Sequence, residues 1–555
     1  MKPSILAGAT VLGIFAALVP MPASAATAAP VEVGFVLPLS VPGGRTGIIS
    51  AVELENYTSP TGLLTRELDS IAGTEITVGI DPMIIASIRL LGSAAPESAT
   101  EWLDRLAEID NDTFALSYAD SDITIGLQAG ATSVVEPTSF DFAIDPSRFT
   151  TDVVETPAPG ATATPEDPAT PALPTSENLL DWNYTLPSVA WPQPATVASI
   201  DLDELEAYET TILSSSNVSR ASEGVAGAIV GTTDAVVTDD ALSSLFMTTI
   251  HAQTTEEWQA SFDELARAIA ATPGRSSAAG ASVLIGVDRG SFDVNTRLRA
   301  TIIAIDGLST ATTVPFGDLA SRDLGEATLI DLPQTPERIA LVRSLFTAEK
   351  ADAAFSTVAE NPELIAGERR IRLLGAMAPQ WNRYPGGWGD DVGNFLEDST
   401  ELRNAVRLSK SSDLIFPDRG FLPINVVNDL DQPVTVFIIV KPATPLLAVE
   451  NSYFELEIEP GSQRRAQIPA VARSNGLVEL SVTIRTRSNV QVGTTQYVTT
   501  NVQAGWETPL TVGLGVLVLG FFVFGIIRSI RKRRRVAAAE KAADDDEVII
   551  AELEE

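Results

Sequence analysis

Cysteine is missing from all 555 residues. Its absence removes thiol nucleophiles, iron–sulfur clusters, cysteine-ligated zinc and disulfide staples, so stability must come from large apolar cores. This pattern fits a bacterial exported protein. Histidine occurs once, as His251. A deacetylase-type metal site needs an acidic residue and two imidazoles, which this chain cannot supply. Serine–histidine chemistry would require His251 itself, yet no Gly-x-Ser-x-Gly elbow is present, and the residue follows an apolar Phe246-Met247 region that suits a structural role. Neither a P-loop nor a dinucleotide fingerprint occurs, so no cofactor is expected. Cations are scarce: 37 Lys and Arg stand against 73 Asp and Glu, a formal net charge of −36. Nucleic acid is thereby disfavoured as a ligand, since phosphate binding needs a cationic surface.

What is present is concentrated at the two ends. Leu510 to Ile527 is uncharged and carries Leu, Ile, Val or Phe at most positions. At 1.5 Å per residue it spans roughly 27 Å, close to the bilayer's apolar thickness. Arg528, Arg531, Lys532, Arg533, Arg534 and Arg535 follow at once. Such a cationic flank stays cytoplasmic and attracts lipid headgroups, which makes 509–527 a transmembrane helix and 528–555 a cytoplasmic tail. The glycines of this segment, Gly513, Gly515, Gly520 and Gly525, are not spaced i,i+4, so the usual helix-dimer face is missing. At the other end, Lys2, the apolar Ile5–Val19 run and Ala23-Ser24-Ala25 have the order of a secretory signal peptide over residues 1–25. An uncleaved signal anchor is the competing reading. The expected localisation is a plasma membrane, crossed once, with the bulk of the chain outside.

Between these ends the pattern changes twice. Residues 31–320 alternate strands and helices: Val33–Leu39, Ile76–Ile80, Thr113–Tyr118, Tyr184–Trp191, Val225–Val237, Val283–Val287 and Thr313–Phe316 read as strands. Leu63–Ile71, Glu101–Ile109, Leu202–Leu213 and Glu256–Ala270 read as helices between them. The rhythm suits a (β/α) barrel, distorted or incomplete, with an open doubly wound sheet as the alternative. A Pro/Thr-rich insertion at 155–177 interrupts it. Residues 334–415 form a helical region, with Glu337–Glu349 and Glu363–Met377 as its best segments. From 416 to 507, short alternating strands are divided by Asn428-Asp429, Pro460-Gly461 and Asn475-Gly476, the pattern of an immunoglobulin-like β-sandwich. The fold class is α/β plus all-β: a barrel-like domain, a helical segment, a sandwich and one C-terminal membrane helix.

Ile80-Asp81-Pro82, Trp102-Leu103, Tyr118-Ala119-Asp120-x-Asp122, Pro423-x-x-Val426-x-Asn428 and the final Gly-Ile-Ile-Arg occur in a fixed order between a signal peptide and a basic tail. In this the chain resembles an actinobacterial family of membrane-anchored cell-envelope proteins of unknown function, encoded near the lipid II flippase. The resemblance runs from about residue 31 to 535. It implies an envelope location and a link to peptidoglycan, with the flippase as partner, and it supplies no catalytic residues. The layout of barrel, helices and sandwich is also similar to that of some carbohydrate-active enzymes, an analogy of architecture alone.

In a barrel, reactive groups sit where strands end. That places Asp81, Asp120, Asp122 and Asp288 as candidate catalytic carboxylates, two of which at suitable separation would serve glycoside hydrolysis. The competing reading spends Asp81 and the Asp120/Asp122 pair on helix caps and turns. Trp191, Trp381, Tyr384 and Trp388 are candidate sugar-stacking residues, against a core reading for the same rings. Together these point to a non-catalytic glycan- or partner-binding factor in cell-wall assembly. The alternative is a glycoside hydrolase-like enzyme working through paired carboxylates. Membrane lipid, cell-wall glycan and the flippase are the expected partners.

Overall fold

The computed structural model describes residues 29–551 apart from 43, 150–172, 221–223, 275–279, 290–296, 323, 384, 410–413 and 505–506. The signal-peptide assignment, and nearly all of the Pro/Thr-rich insertion, lie outside the described residues. The described residues are mixed α/β, with three sheets among them and one long apolar helix at the C-terminal end.

The largest sheet is built from β1 (Val31–Leu39), β2 (Ile76–Ile80), β3 (Thr113–Ala115), β4 (Val189–Ala190), β5 (Thr210–Ser214), β6 (Val218–Arg220), β7 (Gly227–Val230), β8 (Thr233–Thr238), β9 (Ala281–Gly286), β10 (Ala311–Thr313) and β11 (Gly325–Leu329). A parallel path runs β3-β2-β1-β9-β8-β5-β4. The ends of this path meet. Thr113 donates its N–H to Thr185 Oγ1 at 2.8 Å, and Leu186 donates its N–H to the Thr113 carbonyl at 2.9 Å. β7 turns back antiparallel on β8, and β11 pairs with β7 and β6 to extend that side.

Side-chain alternation sorts the two faces of β1. Val31, Val33, Phe35, Leu37 and Leu39 join the core shared with the covering helices. Val36 joins a second core with Phe114, Leu116, Ile212, Val236 and Leu284, capped by Phe316 and Leu319 from the helix Phe316–Ala320. This inner core needs glycine where rings crowd in. A Cβ at Gly34 would stand 2.5 Å from Leu319 Cδ1, and one at Gly79 would stand 2.8 Å from Phe114 Cζ.

Several elements differ from the sequence reading. Leu202–Leu213 is not one helix: the helix stops at Leu205, and Thr210–Ser214 is strand β5, lying between β4 and β8. Thr210, Thr211 and Ile212 are β-branched and pack better on a pleated surface than on a helix. The strand read at Tyr184–Trp191 narrows to Val189–Ala190, inside the bounds set by Pro187 and Pro192. The strand at Thr113–Tyr118 stops at Ala115. The strand read at Thr313–Phe316 is displaced to Ala311–Thr313, and Phe316 opens a helix.

Helices Pro336–Ser356, Pro362–Ala376 and Pro385–Asn404 follow. Asp352, fully buried, joins them by accepting from Arg369 Nε at 2.8 Å and Ser399 Oγ at 2.6 Å. Beyond them stand a four-stranded and a five-stranded sheet that share one core. Leu422, Ile424 and Val426 from the first sheet meet Val436, Ile438, Leu480 and Val482 from the second within it. Each such side chain stabilises the fold by about 1.5–3 kcal/mol when buried. Helix Glu507–Ala551 ends the described chain, and its stretch from Leu510 is long and apolar enough to cross a membrane.

Candidate functional site

The loops that follow β2 and β3 hold three buried acids, Asp81, Asp120 and Asp122. Asp81 directly follows β2 and caps helix Pro82–Leu90, where Pro82 occupies the first turn. Its Oδ1 accepts the N–H of Met83 and that of Ala119, both at 2.9 Å. Its Oδ2 is buried with no partner among the described residues. Burial pushes this carboxyl well above its ordinary value; the Met83 N–H opposes the shift and the nearby Asp120 charge adds to it.

Asp122 caps helix Ile123–Ala129. Its Oδ1 accepts from Thr124 N at 3.0 Å and Thr124 Oγ1 at 2.8 Å, and its Oδ2 accepts from Gln334 Nε2 at 2.7 Å. Burial raises its carboxyl, opposed by the Thr124 hydroxyl and the Arg338 charge. Between these caps, Ala119 and Asp120 have φ of 57° and 45°, two successive left-handed residues that are not glycine. Such strain persists only where the surroundings enforce it. Here the Ala119 N–H is held by Asp81, and the Asp120 carboxylate is held by Arg289 Nε at 2.8 and 3.0 Å. Burial raises Asp120 while the Arg289 charge works against it.

Arg289 and Trp191 stand together at the centre of the strand ends. Arg289 Nη2 donates to the Trp191 carbonyl at 2.6 Å, and the guanidinium lies 4.6 Å from the Trp191 ring centre. Both residues line two adjoining cavities, of about 340 and 630 Å³, which also share Gln193 and Pro379. The first cavity is walled by Ser117, Tyr184, Tyr208 and the Asp120 and Asp122 carboxylates. The second is walled by Asp240, Ser243, His251, Asp288 and Asn382. The Tyr184 hydroxyl and Gln193 Oε1 are buried polar atoms without a partner among the described residues.

The structure thus brings Asp120, Asp122, Asp288 and Trp191 to one cleft, with Asp81 beneath it. Trp381 and Trp388 are elsewhere. Their Nε1 groups donate to the carbonyls of Gly375 at 3.0 Å and Ala376 at 2.8 Å, and both rings pack against the main core. Tyr384 lies outside the described residues. Arg528, Arg531, Lys532, Arg533, Arg534 and Arg535 are exposed along the terminal helix.

Asp240 escaped the sequence reading although it obeys the same rule, standing just beyond the end of β8. Its Oδ2 accepts from Ser214 Oγ at 2.7 Å and Ser216 N at 3.0 Å. Burial acts to raise it, but the hydrogen bonds from Ser216, Ser214 and Ser215 together outweigh that and leave it below its ordinary value. Arg289 was also missed as a partner. Its one sequence signal is adjacency to Asp288 after a strand. Among the described residues no group of three or more His, Asp or Glu is placed to hold a metal ion.

The sequence matches a family of unknown function (DUF6049) over residues 17–544, and the chain belongs to that family. No curated protein matches it. Among solved structures, the native alpha-2-macroglobulin of E. coli is similar over 18% of this chain and 6% of its own length, at 18% identity and a TM-score of 0.15. The C. elegans MSP family member WR4 is similar over 18% of this chain and 98% of its own, at 11% identity and a TM-score of 0.14. The alpha-amylase AmyC of Thermotoga maritima is similar over 68% of this chain and 93% of its own, at 8% identity and a TM-score of 0.42. At these scores no activity is carried over to this chain. The chain spans a small fraction of the macroglobulin.

Proposed function

We propose that this member of the family is a single-pass, membrane-anchored protein of the cell envelope. Its strand-end cleft binds a glycan or a protein partner and catalyses no reaction. One observation carries this reading: four of the acids at the strand ends already hold structural contacts. Asp81 and Asp122 serve as caps, Asp120 is an ion-pair partner and Asp240 is ringed by serine hydroxyls. Glycoside hydrolysis needs two carboxyls facing one bond, one to donate a proton and one to attack or activate water. Carboxylates held by backbone N–H groups and a guanidinium are poor at both tasks. Tyr184, Tyr208, Gln193 and Ser117 instead offer ring edges and hydrogen-bonding groups to a neutral, hydroxyl-rich ligand, while Trp191, buried in the inner core, forms the floor beneath them.

The finer architecture belongs to the same proposal. The joined parallel path is a distorted (β/α) barrel, and the two-sheet unit an immunoglobulin-like sandwich above the membrane. The basic run after Ile527 keeps the C-terminus cytoplasmic. Cell-wall glycan, membrane lipid and the lipid II flippase are the partners this reading names. The hydrolase alternative retains one supporting feature, Asp288 exposed on the wall of the second cavity.

Titration of the protein with soluble peptidoglycan fragments, followed by calorimetry, tests the choice. Binding that is lost in Trp191→Ala and kept in Asp288→Asn is expected, with no new reducing ends released. Reducing ends that appear with the wild type and vanish with Asp288→Asn would replace this reading with the hydrolase.

A further inference from the structure

The end of the two-sheet unit from which the chain departs toward the apolar helix carries an unusual surface. Strands Leu414–Phe416, Gln491–Val502 and Gly476–Arg485 run side by side there. In register, Ile415 and Leu477 flank Asn501 on its two sides. Both point away from the shared core and are exposed, at 73% and 68%. Phe421, 61% exposed, lies on the outer face of the other sheet, two residues into strand Arg419–Asn428. Further up this outer face Glu479 and Thr499 pair with one another, and Ser481 pairs with the exposed ring of Tyr497, so the aliphatic side chains are confined to the end row.

The loops at this end are tied to the departing chain. Gln503 donates its N–H to the Phe416 carbonyl at 2.9 Å, and Ala504 donates its N–H to Asn475 Oδ1 at 2.5 Å. Ala472 donates to the Asp418 carbonyl at 2.8 Å. The helix begins at Glu507, three residues after Ala504. Three residues reach at most about 11 Å, and Leu510 lies about 4.5 Å further along the helix. The headgroup layer on each side of a bilayer is some 5–8 Å thick. Once Leu510 enters the apolar zone, Ile415, Leu477 and Phe421 are within reach of the headgroups.

We infer that Ile415, Phe421 and Leu477 form a docking collar that seats this end of the sandwich in the lipid headgroup layer. The inference rests on the membrane-anchorage reading above. An exposed apolar cluster beside a membrane entry point is offset by transfer into the interface, whereas in water it has no compensation. Asp418, Arg419 and Arg473 stand at the same end, so acid and base are mixed and the contact is chiefly apolar. The occupant is a phospholipid surface.

Since the chain has no cysteine, single probes can be placed cleanly. Full-length Ile415→Cys, Phe421→Cys and Leu477→Cys, each labelled with an environment-sensitive fluorophore, would be reconstituted in phosphatidylcholine–phosphatidylglycerol vesicles. Tyr497→Cys, exposed on the same sheet but four residues up the strand, and Ile303→Cys serve as distant controls. Val518→Cys reports whether the helix itself spans. Lipids spin-labelled at the headgroup should remove most of the emission at 415, 421 and 477 and little at 497 and 303. Quenching at 518 by lipids spin-labelled on the acyl chain, with none at the three collar sites from the headgroup label, would overturn the collar while leaving the anchor intact. Absence of acyl-chain quenching at 518 would overturn the anchorage reading and the collar with it. Collar probes shielded from both lipid and aqueous quenchers would assign the patch to a protein contact and also overturn the proposal.

Discussion

Arg289 Nε bridges both oxygens of Asp120, at 2.8 and 3.0 Å, across 169 residues of sequence. The pair is nearly buried and joins the strained turn after β3 to the end of β9. A buried ion pair is weak evidence of added stability, but breaking one leaves an uncompensated charge. Asp120→Ala should therefore cost about 3–5 kcal/mol. Adding Arg289→Met should recover much of that loss. Urea unfolding followed by tryptophan fluorescence measures both; a single variant as stable as the parent would show that the pair contributes nothing.

Gly34 faces the inner core on β1, where an added Cβ would meet Leu319 Cδ1 at 2.5 Å. Overpacking of this kind typically costs about 1–3 kcal/mol. Gly34→Ala should lower the melting temperature, and Leu319→Ala in the same chain should relieve the clash, so that the two losses are less than additive. Strict additivity in calorimetry would argue against the contact.

Glu67 is buried on helix Leu63–Ile71, and neither of its carboxylate oxygens has a partner among the described residues. Burial raises its carboxyl well above the ordinary value, with the Arg66 charge in opposition. Replacement by Met keeps the volume and removes the unmet polar atoms, so Glu67→Met should stabilise the protein at neutral pH by about 1–3 kcal/mol. Denaturation midpoints at neutral pH measure this, and a lower midpoint would contradict it.

Asp201 gives a pH window. Its Oδ2 accepts from Ala198 N at 2.8 Å and Gln128 Nε2 at 2.7 Å. Burial nevertheless pushes the carboxyl up to about 6. The folded state therefore holds this proton more tightly than the unfolded state, whose carboxyl titrates near 4. The stability it contributes is complete below about 4 and is lost as pH rises to about 6. Asp201→Asn should flatten that part of the stability curve, and an unchanged slope would show that the group does not titrate there.

Much of the fold could be read locally. Ile76–Ile80, Leu63–Ile71 and the alternating strands of the two-sheet unit coincide with their sequence patterns to within a few residues. Leu202–Leu213 failed because its first turn is helical and its last residues are not. Thr210–Ser214 becomes a strand by pairing with β4 on one side and β8 on the other. No window along the chain contains those partners. The cleft behaves the same way. That Asp81, Asp120 and Asp122 stand at strand ends follows from their spacing after apolar runs. Their engagement does not, because the decisive partners Ala119, Arg289 and Gln334 lie 38, 169 and 212 residues away.

The sequence by itself determined the absence of thiol chemistry, the apolar C-terminal segment with its cationic flank, and the alternating pattern of the strands. These depend on residue type and on neighbours within a turn or two, where transfer free energies and backbone preferences add along the chain. The tertiary structure alone decided which carboxylates are spent, which aromatic rings reach the cleft and where apolar side chains remain uncovered. A buried charge is tolerable or costly according to the group that faces it, and in this protein that group comes from a distant part of the chain.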